Sequence, residues 1–115
     1  MTFEVHFIPE FSEEFRSLQT RAEKGNGEAR YLLKLVEKAI AKLVLNPRRG
    51  IKVPHKLWPR EYVAKYGVNN LWKLNLDSYW RMIYTLAGNE AKLVSLIIEV
   101  MDHKAYDRKF GYRTS

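Results

Sequence analysis

The chain has 115 residues, 46% of them hydrophobic and 29% charged, and a formal net charge of +7; this composition fits one soluble globular domain and is too small for two cores. It contains no cysteine, which excludes a disulfide scaffold and a cysteine-based metal site and fits a reducing compartment. No stretch approaches the roughly 20 apolar residues of a membrane span, and "MTFEVHFIPEF" lacks a signal peptide's apolar block, so a cytoplasmic protein with no membrane partner is expected.

Phe3, Val5 and Phe7 alternate with polar residues, which predicts a strand over 2–8 stopped by Pro9. Phe11, Phe15, Leu18 and Ala22 then recur at helical spacing up to about Lys24. After a turn at "GNG" (25–27), Leu32, Leu35, Val36, Ala39, Ile40 and Leu43 form the apolar stripe of a second helix, 28–45, ended by Asn46-Pro47. A short turn between two such helices predicts a helical hairpin. Residues 46–58, with Pro47, Gly50 and Pro54, read as loop, and "WPREYVAKYG" as a short helix with Pro59 at its start and Gly67 at its stop.

Three strands follow. "NLWKLNL" (70–76) sets Trp72, Leu74 and Leu76 against Lys73 and Asn75; "YWRMIYTLA" (79–87) sets Trp80, Met82, Tyr84 and Leu86 against Tyr79, Arg81, Ile83 and Thr85. Past the turn "GNE", "KLVSLIIEVM" (92–101) is apolar on both faces, as a central strand is. "KAYDRKF", closed by Gly111, reads as a terminal short helix. The expected fold class is α+β: an N-terminal strand, a helical hairpin, then a three-stranded antiparallel meander in one sheet, with helices on one face and the other face open. One domain, 1–115, is expected, with a basic insert at about 46–68.

The charge is unevenly placed. Residues 1–45 and 67–100 each sum to zero, whereas 46–66 carry +5 and 101–115 carry +2. Basic excess concentrated in this way favours an anionic partner, most often nucleic acid. Lys52, Lys56 and Arg60 in the first segment and Arg108, Lys109 and Arg113 in the second are candidate contacts to an RNA backbone.

Strand alternation puts Lys73 and Asn75 on one face, with Arg81 on the neighbouring strand; His103, Lys104 and Tyr106 lie just past the last strand. Cleaving an RNA phosphodiester requires a 2′-hydroxyl to lose a proton, charge on the phosphorane to be held, and the leaving 5′-oxygen to gain a proton. Arginine binds phosphate oxygens with a fixed fork. Histidine titrates near neutrality. Tyrosine donates a proton or stacks on a base, and lysine stabilises charge. This chemistry needs no cofactor, and the three histidines His6, His55 and His103 have no metal-ligand spacing. The structural alternative for Arg81 is an ion pair with Glu99; Phe110 is assigned to packing.

This order of elements resembles the RelE/ParE superfamily of type II toxins. "YWRMIYTL" (79–86) looks like the family's aromatic-Arg-apolar-apolar-Tyr strand, and "LVSLIIEVMDH" followed by "KAYDRKF" like its last strand and C-terminal segment. The resemblance leans to the RelE branch, the mRNA interferases. It implies a ribosome-dependent, metal-independent endoribonuclease that enters the ribosomal A site, cuts mRNA and is neutralised by a cognate antitoxin. By that resemblance Arg81 stabilises the phosphorane, Tyr106 positions or activates the nucleophile or stacks on substrate, His103 is an acid or base, Lys104 replaces a basic residue, and Lys73 matches one of two strand lysines. The second lysine falls at Asn75. The alternatives are a ParE-like inhibitor of DNA gyrase and an inactive nucleic-acid-binding member of the fold.

Overall fold

The computed structural model describes residues 1–111. Strand β1 (Thr2–Phe7) leads into α1 (Pro9–Glu23), where Pro9 occupies the first turn that needs no N–H. The second helix, α2 (Gly27–Leu45), is capped by Asn26, whose side chain accepts the Ala29 N–H at 2.9 Å. The expected hairpin therefore forms, with Phe7, Phe11 and Phe15 clustered where α1 leaves the strand, ring centroids 4.9–6.2 Å apart.

Residues 46–58 are not loop throughout. Ile51–Lys52 form β2, and His55–Leu57 a turn of 3-10 helix. The cause is tertiary and invisible to periodicity. Buried Tyr84 donates its hydroxyl to Pro47 O at 2.7 Å and accepts the Gly50 N–H at 3.0 Å, drawing the segment onto the sheet edge. A Cβ at Gly50 would lie 2.6 Å from the Lys73 carbonyl, so only glycine allows this approach. Helix α3 (Arg60–Tyr66) follows and stops at Gly67 in the left-handed region, φ 60°.

The meander comprises β3 (Trp72–Asn75), β4 (Trp80–Gly88) and β5 (Lys92–Asp102). β3 starts later than the alternation suggested because Asn70 bonds β4 through its side chain: Oδ1 accepts Leu86 N–H and Nδ2 donates to Leu86 O, both at 2.8 Å. Chain order and space differ. The five strands lie β1-β5-β4-β3-β2, with β1 parallel to β5 and the other pairs antiparallel. β5 is thus interior, which explains its apolar residues on both faces. A bulge near Ile83/Tyr84 pairs Ile83 with Glu99 and Tyr84 with Ile97, and Ile97 and Ile98 are both buried.

Leu74, Met82 and Val100 lie in register on the face covered by the hairpin, where Leu74 borders Leu35 and Ala39, and Val100 borders Phe11 and Val36. The opposite row, Lys73, Ile83 and Glu99, is not the open face expected. Helix α4 (His103–Phe110) turns back over it and α3 closes beside it, burying Tyr62, Ile83, Tyr106 and Phe110. The sequence pattern hid this cover because each helix supplies only one or two apolar side chains. Among the described residues no helix is long and apolar enough to cross a membrane.

Candidate functional site

The β3–β4 turn organises one end of the sheet. The Asp77 carboxylate accepts the N–H of Tyr79 at 2.8 Å and of Trp80 at 2.6 Å through Oδ1, and the Tyr31 hydroxyl at 2.7 Å through Oδ2. Burial alone would raise this carboxyl's pKa; the Trp80 N–H, the Tyr31 hydroxyl and the Tyr79 N–H outweigh it and hold it below the usual range. Arg81 folds back over the same turn. Its Nη1 donates to Asp77 O at 3.0 Å and Trp80 O at 3.2 Å, and its Nη2 to Ser78 O at 3.4 Å. The ion pair with Glu99 considered for Arg81 does not form; Glu99 instead accepts from Tyr62 Oη and from Lys109 Nζ at 3.1 Å.

The start of α4 meets this turn. Asp102 caps the helix by accepting the Ala105 N–H at 2.9 Å, and this bond chiefly holds its carboxyl below the usual range. His103, the first helical residue, donates its backbone N–H to Tyr79 O at 2.7 Å, and its ring stands edge-on to Tyr79 with centroids 5.3 Å apart. Cross-strand register sets Arg81 opposite both Met101 and Asn75. Arg81 and His103 therefore share one sheet end, both half-buried, with Lys104 exposed on the first turn of α4.

Lys73 and Tyr106 lie one row further in. Tyr106 is 2% exposed. It stacks on Phe110 with centroids 4.4 Å apart, and Lys73 Nζ sits 5.1 Å from the centre of its ring. Phe110 packs as expected, and Tyr106 is buried with it.

The candidate backbone-binding cations divide. Lys52 on β2, Lys56 on the 3-10 helix, Arg60 at the start of α3 and Arg108 on α4 are exposed. Lys109 is engaged inside the protein, 3.1 Å from both Glu61 and Glu99 and over the Tyr62 ring. Burial opposes its charge, but the two carboxylates raise its pKa above the ordinary lysine value. Arg113 lies outside the described residues. No group of three or more His, Asp or Glu side chains is gathered for a metal among the described residues.

Sequence reasoning did not single out Tyr31, Asp77 or Tyr79 for the site and read Trp80 as a core or near-core residue on the apolar face of its strand. Tyr31 is 52% exposed and Tyr79 44%. Two signals were available: "DSYW" is an Asp-initiated turn that leads with aromatics, and Tyr31 falls off the apolar stripe of α2.

A solved structure described as "YoeB/ParE toxin from Agrobacterium tumefaciens" has the same fold, with a TM-score of 0.56 and 14% identity over 87% of this chain and 98% of that one. No curated protein matches the sequence. The family model "ParE toxin of type II toxin-antitoxin system, parDE" matches residues 5–105. Membership implies an antitoxin partner. From fold and sequence together, the chain belongs to the ParE toxin family of type II toxin–antitoxin systems, within the RelE/ParE superfamily.

Proposed function

We propose that this toxin is a ribosome-dependent endoribonuclease that cuts mRNA without a metal ion. The observation that supports this most is the attachment of Arg81 and His103 to one turn: the Arg81 guanidinium bonds the Asp77, Ser78 and Trp80 carbonyls, and His103 N–H bonds the Tyr79 carbonyl. A guanidinium and an imidazole are thus tied to one partly exposed turn, and these are the side-chain types that suit phosphate oxygens and proton transfer.

In this mechanism the 2′-oxygen attacks phosphorus and the P–O5′ bond breaks. The products are a 2′,3′-cyclic phosphate and a 5′-hydroxyl. Arg81 holds the non-bridging oxygens as their charge grows. His103 takes the 2′-hydroxyl proton while water protonates the departing O5′, or its imidazolium protonates O5′ while water takes the 2′-hydroxyl proton, and Lys104 adds a cation beside it. Lys73 and Tyr106 act as positioning residues, because the Lys73 ammonium rests on a ring that is itself in the core. Lys52, Lys56, Arg60 and Arg108 hold RNA backbone, and the toxin works in the ribosomal A site.

The burial of Tyr106 favours a second reading. A tyrosine that cannot reach a substrate fits a member of this superfamily that poisons DNA gyrase and cuts no RNA. Cleavage mapping on translating ribosomes separates the two. Under the first reading the wild type cuts, Arg81→Ala lowers the rate by about 100- to 1,000-fold, and His103→Ala lowers it by about 100-fold or more. DNA damage in expressing cells, without cut mRNA, supports the second.

A further inference from the structure

We infer that Tyr31, Tyr79 and Trp80 form a base-stacking subsite for single-stranded RNA, taking the base next to the phosphate held at Arg81. This inference rests on the proposed action on RNA. The three rings, with Gly27 and Glu28, line a shallow hollow where the start of α2 meets the β3–β4 turn.

Exposure is the first argument. Tyr31 and Tyr79 leave about half their surface in water, so neither gains much from folding by being aromatic. Their rigidity is the second. Asp77 fixes the Tyr31 hydroxyl and the backbone of Tyr79 and Trp80. Tyr79 is further held edge-to-face by Trp80, centroids 5.1 Å apart, and by His103. A ring already immobilised loses little entropy when a ligand stacks on it.

Charge identifies what fits. Asp77 is consumed by three internal donors, and Glu28 stands at the rim, so a phosphate is unwelcome in the hollow itself. An uncharged ring is welcome there. The phosphate belongs on the far side of the same turn, at the guanidinium of Arg81, with His103 and Lys104 beside it. Aromatic platforms next to a cationic track are how proteins hold single strands without reading sequence.

The test uses the protein with its 115 residues and a short fluorophore-labelled single-stranded RNA carrying 2′-O-methyl groups throughout, so that it binds but is not cut, followed by anisotropy over a salt series. Tyr79→Ala and Tyr31→Ala are expected to weaken binding by roughly 5- to 100-fold each, with the slope of log affinity against log salt unchanged, since neither side chain carries a charge. Tyr79→Phe, which keeps the ring, retains wild-type affinity within about twofold. Circular dichroism confirms that the variants are folded. Wild-type affinity in both alanine variants overturns the subsite, as does absence of binding by the wild type. Unchanged RNA binding with abolished antitoxin binding also overturns it and makes the surface a protein-docking site. Ring-dependent binding without ribosomal cleavage upholds the subsite and removes the nuclease reading instead.

Discussion

His103 is tied to Tyr79 twice, by a backbone hydrogen bond of 2.7 Å and by an edge-to-face ring contact at 5.3 Å. The pair lies just past the last register match of the sheet, Trp80 with Asp102. Backbone, not a flexible side chain, therefore sets where the imidazole starts relative to Arg81. Such preorganisation is what a site that stabilises developing charge requires.

Tyr106 separates packing from chemistry. Removing its ring opens a cavity against Phe110 and takes away the support under Lys73. Tyr106→Ala is expected to cost about 3–5 kcal/mol of stability, by analogy with other buried aromatic deletions, and toxicity falls with it. Tyr106→Phe keeps the stack and is expected to keep toxicity. Urea unfolding and a growth assay on both variants decide it: a stable but harmless Tyr106→Phe would return the hydroxyl to the chemistry.

The basic segment 46–66 is expected to act through counterion release. Neutralising exposed Lys52, Lys56 and Arg60 to Gln should reduce the salt slope of binding to ribosomes or single-stranded RNA by about 0.7–0.9 for each phosphate left unneutralised. Lys109→Gln should leave the slope nearly unchanged, because Glu61 and Glu99 already neutralise that ammonium. Equal slopes for wild type and the triple variant would remove the segment from the RNA interface.

Tyr84 and Gly50 test how that segment is attached. Tyr84→Phe strands the Gly50 N–H and withdraws a donor from Pro47 O, at an expected cost of about 1–3 kcal/mol. Gly50→Ala forces a Cβ against the Lys73 carbonyl, a backbone atom that cannot step aside cheaply. Hydrogen exchange should then show β2 opening in both variants while β4 and β5 stay protected. Protection of β2 equal to wild type would mean that other contacts hold the edge.

The polar lock between α3, α4 and β5 has a pH signature. Burial first, then the Glu99 carboxylate, pushes the Tyr62 hydroxyl up, and Glu61 and Glu99 raise Lys109. Both groups are held protonated in the folded state, so the unfolded chain loses its protons first as pH rises. Their stabilisation is complete below the ordinary values near 10 and is lost as pH climbs past them. Unfolding free energy measured from about pH 8 to 11 should be flat and then fall. The fall should be shallower in Tyr62→Phe; an unchanged fall would place the alkaline titration elsewhere.

Much of the fold could be read from periodicity because α1, α2, β4 and β5 bury apolar residues at regular spacing and β1 alternates three partly buried apolar residues with polar ones, and long patterns survive local noise. β2 could not be read: two exposed residues carry no pattern, and their pairing is imposed by a hydroxyl 34 residues away at Tyr84. The cover by α4 was half-visible as Tyr106 and Phe110 at i and i+4. Their joint burial with Tyr62 depends on α3, which no spacing in the chain reveals. At the candidate site the residue types were evident, but partners were not. Arg81 chose turn carbonyls over Glu99, and Lys109 chose two carboxylates over solvent.

The parallel pairing of β1 with β5 bears on when the toxin becomes a toxin. Thr2 is hydrogen-bonded to Ala91, 89 residues along the chain. Among the described residues, its strand has no other neighbour in the sheet. Strand β1 waits for a partner made 89 residues later before it finds its place, and closing so long a loop is slow relative to forming the hairpin of helices. α4, which carries His103, follows directly on β5. Until β5 and α4 have been made, the chain holds neither β1 in its sheet nor His103 beside the turn that carries Arg81, so maturation is tied to the synthesis of these two elements.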